Sequence, residues 1–160
     1  MEKPNIIGGG KNVDDRGVLR FFNDFNFSRE KIQRFYQIEN HTLGTIRAWH
    51  GHMKEEKFLY VVKGTVLVGT VKLGESGVPV LVSEADIKNP ELVPYIPNRA
   101  ILSAENPVLY HIPAGYAHGW RNLTKDTILI VFSTASLDES MIDDYRFDWN
   151  LWNVWDIQYR

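Results

Sequence analysis

Short apolar stretches with strand-like alternation run through the middle of the chain. Residues 45–50, 58–62, 65–72, 108–112 and 127–133 are rich in Val, Ile, Leu, Tyr and Phe, and each has the length of a strand. Gly64, then Gly74 and Gly77, then Pro113 and Gly115 punctuate them. Val62-Lys63-Gly64-Thr65-Val66 reads as a tight hairpin in which glycine supplies a positive φ. Asp15 to Phe22 reads as a turn followed by a strand, and Gly8-Gly9-Gly10 as a flexible run. Helical periodicity is scarce. Residues 28–35 predict one short helix, with Ser28 as N-cap and Lys31 and Arg34 exposed. A helical turn is expected around Glu139 to Asp143, followed by an irregular wrap that pins Trp149, Trp152 and Trp155 onto the body. Many short strands with almost no helix define an all-β sandwich or barrel. A small barrel encloses a cavity lined by alternate side chains, which is where chemistry is to be sought.

Composition narrows the picture. A length of 160 residues suits one domain, with a core over about 16–135 and a C-terminal wrap over 136–160. No apolar run approaches the ~18 residues of a membrane span, and the N-terminus lacks the apolar stretch of a secretory signal. A cytoplasmic, non-membrane protein is expected. Cysteine is absent, which excludes disulfide scaffolds, thiol nucleophiles and zinc–thiolate sites. A net charge of -2 gives no pull toward nucleic acid. The 5 Trp, 7 Tyr and 8 Phe either fill a β core or line a pocket.

Three of the five histidines fall in two compact patterns. In Arg47-Ala48-Trp49-His50-Gly51-His52, the two histidines lie two apart on a strand-like segment and face the same side. In Pro113-Ala114-Gly115-Tyr116-Ala117-His118-Gly119-Trp120-Arg121-Asn122, a turn precedes the histidine. His41 and His111 carry no pattern and read as structural. Together the two segments resemble the two cupin motifs: Gly44, His50 and His52 fit the first, and Pro113, Gly115, His118 and Asn122 fit the second. The resemblance implies a double-stranded β-helix, the cupin jelly-roll barrel, over roughly residues 16–148.

The glutamate of the first motif decides between a metal site and a metal-free one. Counting from His52 gives Glu56 or Lys57, and counting back from Gly64 gives Lys57. The two point to opposite faces of the strand. With Glu56 inward, His50, His52, Glu56 and His118 form a three-histidine, one-carboxylate site for Fe, Mn, Ni or Zn. With Lys57 inward, an ammonium repels a cation. The hairpin glycine favours Lys57, because a one-residue slip flips every side chain.

A closer likeness follows. The sequence resembles the dTDP-4-dehydrorhamnose 3,5-epimerase family. The matching segments are Asp14-Asp15-Arg16-Gly17, Arg47 three before His50, Lys57 opening a strand that ends at Gly64, Leu102-Ser103-Ala104-Glu105-Asn106, and Ile112 through Trp120. The resemblance implies an epimerase or isomerase of a nucleotide-linked 4-keto-6-deoxy sugar, without metal or other cofactor. Its substrate would be dTDP-linked and its setting cell-envelope polysaccharide or antibiotic sugar synthesis. It implies His50 as the base, Lys57 as the cation that stabilises the enolate, and His118 on the sugar or enolate oxygen. His52 and Asn106 would also contact substrate, and Arg47 and Arg16 would clamp the pyrophosphate. An acidic residue of the tail would orient the base and raise its pKa, Asp144 first and Asp143 next. It also implies a homodimer paired through edge strands, which can lend Arg16 to the partner's pocket.

Three departures from the family bear on activity. The family's catalytic tyrosine falls at Val131 or Phe132 here, so a single epimerisation, a ketoisomerisation, or another donor such as Tyr110 or Tyr60 stays open. His52 stands where the family has glutamine, and Trp49 replaces a smaller residue. Lys54, Glu55 and Glu56 read as a charged loop that needs no function. A metal-dependent cupin enzyme and a non-catalytic sugar-nucleotide-binding cupin are the competing readings.

Overall fold

The computed structural model describes residues 2–157. Two five-stranded antiparallel sheets face one another. The strands are β1 (Asn5–Gly8), β2 (Gly10–Asp14), β3 (Gly17–Phe21), β4 (Arg34–Glu39), β5 (Ile46–His52), β6 (Lys57–Lys63), β7 (Thr65–Lys72), β8 (Asn98–Ser103), β9 (Val108–Ile112), β10 (Tyr116–Asn122), β11 (Ile128–Ser133) and β12 (Tyr145–Arg146). One sheet has the order β1-β9-β6-β11-β4, the other β12-β5-β10-β7-β8, and β2 and β3 form a separate hairpin. The single α-helix among the described residues, α1 (Leu137–Ile142), is capped reciprocally by Ser136 and Glu139. No helix among the described residues is long and apolar enough to cross a membrane.

Period-2 alternation builds two apolar layers. Leu59 and Val61 of β6, Val66 and Val68 of β7, Tyr110 and Ile112 of β9, and Leu129 and Val131 of β11 meet between the sheets. On the outer face of the second sheet, Trp49, Leu67, Val71 and Ala117 meet Trp152, Val154 and Trp155 of the C-terminal wrap. Gly69 makes room for that stack: a Cβ there would lie 2.7 Å from both Trp49 and Val154. Gly64 turns the β6–β7 hairpin at φ +82°, a conformation open to glycine.

Three sequence expectations are corrected. Residues 28–35 are not a helix. Residues 28–31 form turns, and β4 begins at Arg34, pairing in register with β11 from Arg34↔Ser133 to Glu39↔Ile128. The alternation of Arg34, Tyr36 and Ile38 suits a strand buried on one face, and that long-range ladder outweighs local propensity. Gly8-Gly9-Gly10 is an ordered corner: Gly8 pairs with Val108, Gly10 with Phe21, and the Gly9 N–H donates to the Pro107 carbonyl at 2.9 Å. Of the three tail tryptophans, Trp152 and Trp155 are buried, whereas Trp149 is 54% exposed. Trp149 contributes its carbonyl, which accepts from the indole N–H of Trp49 and of Trp155.

Candidate active site

A cleft of about 300 Å³ opens between the two sheets. β5 and β10 supply one wall. Their register sets His50 directly opposite His118, with ring centroids 6.1 Å apart. His52 lies 5.7 Å from His118, and Trp120 stacks within 13° of the plane of His50. The facing wall comes from Lys57 of β6 and from Arg34 and Tyr36 of β4. Arg47, Asp144 and Arg146 stand at its edge.

Strand parity places Lys57 in the cleft and Glu56 outside it. The Glu56 carboxylate meets the His111 Nε2 at 2.5 Å, and His111 stacks on Phe58 on the outer face of β6. The four residues of the alternative metal set are therefore not assembled. Four cationic side chains, Arg34, Arg47, Lys57 and Arg146, and one carboxylate, Asp144, line the cleft. A unit charge at ~4 Å from an ammonium feels about 4 kcal/mol at an effective dielectric of 20. This donor set does not fit a dication; it fits an anion.

Glu55, which reads from sequence as part of a charged loop, is the hub of the site floor. Its buried carboxylate accepts from the Lys57 ammonium and the Ser133 hydroxyl. It also accepts from the Ser140 hydroxyl at 2.7 Å and from Arg34 at 3.3 Å. His52 Nδ1 lies 3.2 Å away. Burial alone would raise the Glu55 pKa, but the Lys57 and Ser133 hydrogen bonds and the Lys57 charge outweigh it and leave the carboxyl lowered. For Lys57 burial wins: its pKa is lowered despite the bond to Glu55. Asp143 holds the loop in place, its carboxylate accepting from the backbone N–H groups of Met53, Lys54 and Glu55 at 3.0, 2.8 and 3.0 Å. Its carbonyl lies 2.8 Å from His52 Nδ1. A carbonyl only accepts, so Nδ1 carries the proton and Nε2 keeps its lone pair.

The three histidines are held neutral. Burial first, then the Arg146 charge, pushes His50 down to about 4. Burial and Lys57 lower His52. Burial and its two neighbouring histidines place His118 well below the usual range. His118 Nδ1 and Trp120 Nε1 are buried without a hydrogen-bond partner among the described residues. Such groups are costly to leave unmatched.

Other predicted residues fall differently. Asp144 lines the cleft but does not hydrogen-bond His50. It binds Arg146 at 2.7 Å, and Arg146 Nη1 lies 3.4 Å from His50 Nε2. The expected upward shift of the base is thus reversed, because burial first and the Arg146 cation second outweigh the Asp144 charge. Arg47 reaches the cleft and donates to Asn40 Oδ1 at 2.8 Å. Arg16 does not reach it: this exposed side chain sits at the tip of the β2–β3 hairpin, 2.5 Å from Asp14. Asn106 lies in the turn between β8 and β9, its N–H on the Ser103 carbonyl, and does not line the cleft. Val131 is core and Tyr60 packs edge-on against Phe22. Tyr110 lies 3.4 Å from the Thr70 hydroxyl. Sequence reasoning passed over Glu55, Arg34, Tyr36, Trp120 and Arg146. The matching parity of Glu55 with Lys57, of Arg34 with Tyr36 and of Trp120 with His118 was the available signal for four of these contacts; Arg146 had none.

Comparison with known proteins agrees with this architecture. No protein-family model matches the chain. The chain is 26% identical over 138 residues to the spore coat polysaccharide biosynthesis protein SpsL of Bacillus subtilis (strain 168), covering 86% of this chain and 75% of that one. It superposes on the dTDP-4-dehydrorhamnose 3,5-epimerase of Bacillus anthracis with TDP and PPi bound, at TM-score 0.68 and 21% identity, over 92% of this chain and 79% of that one. It superposes equally, at TM-score 0.68 and 14% identity, on ChmJ, a 3'-monoepimerase from Streptomyces bikiniensis in complex with dTDP-quinovose, over 91% and 69% of the two chains. The barrel, with histidines on facing positions of β5 and β10, has the cupin jelly-roll architecture. Its fold is that of the dTDP-4-dehydrorhamnose 3,5-epimerases.

Proposed function

We propose that the protein is an epimerase of a nucleotide-linked 4-keto-6-deoxy sugar, working by proton abstraction beside the ketone and without a metal. The Lys57 ammonium, set beside three neutral histidines in a cleft rich in cations, supports this above all. A carbon acid next to a ketone becomes reachable when the enolate oxygen meets a fixed positive charge. In this reading His50 takes the proton, and Lys57, held by Glu55, stabilises the enolate oxygen. The free polar edges of His118 and Trp120 receive sugar oxygens, and His52, with its tautomer set by Asp143, presents Nε2 to the substrate. Arg47 and Arg34 bind the diphosphate, for which a forked guanidinium suits two oxygens. Asp144 acts through Arg146 as a positioning residue. The similar proteins, which are described for dTDP-sugar epimerisation and coat polysaccharide synthesis, agree with this chemistry.

A second copy of the chain belongs to the proposal. The β2–β3 hairpin exposes Val13, Val18 and Leu19, and pairing of two copies over this surface would bring Arg16 to the partner's diphosphate. A nucleotide-linked substrate places the enzyme in the cytoplasm. The test is to incubate the protein with dTDP-4-keto-6-deoxyglucose in deuterated water and follow deuterium at C3 and C5 by NMR. Uptake at either carbon is expected. Absence of uptake with bound nucleotide sugar would turn the reading into that of a binding protein.

A further inference from the structure

We propose that Tyr36 is the proton donor that completes inversion, delivering its hydroxyl proton to the face of the sugar opposite His50; this rests on the epimerase reading above. Inverting a carbon requires a base on one face and an acid on the other. His50 belongs to β5 in one sheet and Tyr36 to β4 in the other, and both line the cleft between the sheets. A ring bound there has one face toward each.

Tyr36 is the one tyrosine lining this cleft among the described residues. The other cleft hydroxyl, that of Ser140, is committed to Glu55. No side chain among the described residues engages the Tyr36 hydroxyl. Val131, one of the two positions where a tyrosine would be expected by resemblance, is the direct cross-strand partner of Tyr36. The phenol has moved one strand sideways within the same sheet.

The charges around it suit the role. The Arg34 guanidinium lies 5.1 Å and the Lys57 ammonium 5.5 Å from the ring centroid. Burial, helped by the Glu55 charge, raises the phenol to about 12, so it is fully protonated at neutral pH.

The step balances without a co-reactant. His50 breaks the C–H bond and takes its proton. The electron pair enters the enolate, whose oxygen faces Lys57. The pair then forms a new C–H bond with the Tyr36 proton on the other face, leaving a phenolate beside two cations. Solvent returns a proton to the phenolate and removes one from His50.

The test compares wild type with Tyr36→Phe on dTDP-4-keto-6-deoxyglucose in deuterated water, scoring deuterium in recovered substrate separately from epimer formed. Tyr36→Phe is expected to keep exchange within about tenfold of wild type while epimer formation falls at least about 100-fold, the low end of general-acid contributions. Without the donor, His50 returns a proton to the face it came from. Epimer formation at the wild-type rate overturns the assignment, and so does a parallel loss of exchange and epimer, which marks a binding residue. Wild-type protein that exchanges nothing brings down the epimerase reading itself, a separate result. Should Tyr36→Phe not fold, difluorotyrosine at position 36 keeps the shape and acidifies the phenol. The alkaline limb of epimerisation should then move to lower pH, and an unmoved limb overturns the assignment.

Discussion

Lys57 and Glu55, two residues apart, form an ion pair with 3% and 1% of their side chains exposed. Glu55 is itself tied down by Asp143, Ser133 and Ser140, so the ammonium is presented at one place. Removing one member of a buried pair leaves an uncompensated charge and costs about 3–5 kcal/mol. Glu55→Gln is therefore expected to lower unfolding free energy by about 3 kcal/mol, read by urea denaturation. The same variant should lose kcat more than it raises KM, because the displaced Lys57 fails the enolate rather than the ground state. Unchanged stability would mean that Glu55 is protonated beside Lys57.

His50→Asn is expected to lower kcat/KM by about 1000-fold, within the range of general base catalysis, and to abolish deuterium exchange. Nucleotide-sugar affinity should change little, because the cationic contacts lie elsewhere in the cleft. Calorimetric titration with the substrate distinguishes the two effects. Exchange that survives in His50→Asn would move the base to His118 or His52.

Legibility from sequence followed the reach of each interaction. The hairpin at Gly64 and the His50/His52 pair are local patterns, and parity counted back from Gly64 put Lys57 on the inward face. Arg34 and Tyr36 were hidden because their strand is defined by β11, about a hundred residues away, and three alternating positions also pass for a helical turn. Glu55 was hidden because its partners Ser133, Ser140 and Asp143 arrive from the far end of the chain. Adjacent tail residues parted ways: Asp143 turns into the 53–55 loop and Asp144 into the cleft, a choice set by where α1 ends.

In the proposed mechanism, burial first and Arg146 second set the working range of His50 as the base. His50 stands at about 4 because it is buried and because the Arg146 cation adds to the cost of charging it. The acid limb of kcat/KM is expected near pH 4 rather than near 6.5. Arg146→Gln removes the cation and frees Asp144, both of which raise the His50 pKa, so the limb should move up. A pH–rate series of the two proteins from pH 4 to 8 reads this directly. A limb that stays in place would show that Arg146 does not sense the base.

The same histidines make the fold acid-sensitive. His50 falls from 6.5 to about 4 on folding, and His52 and His118 are lowered as well. Below about pH 6.5 the unfolded chain takes up protons at these positions while the folded chain does not. The His50 contribution is therefore fully present above about pH 6.5 and is lost as the pH falls toward about 4, and those of His52 and His118 are lost in the same direction. Each such histidine contributes at most about 1.4 kcal/mol per pH unit within that window. Melting temperature is expected to hold between pH 7 and 8 and to fall steadily from pH 6.5 to 5.5, above the range where ordinary carboxylates titrate. His118→Asn removes one of the three without adding charge, so its decline should be shallower than that of wild type, whatever its starting stability. Parallel declines would mean that His118 titrates alike in the folded and unfolded protein and is charged in the fold at these pH values.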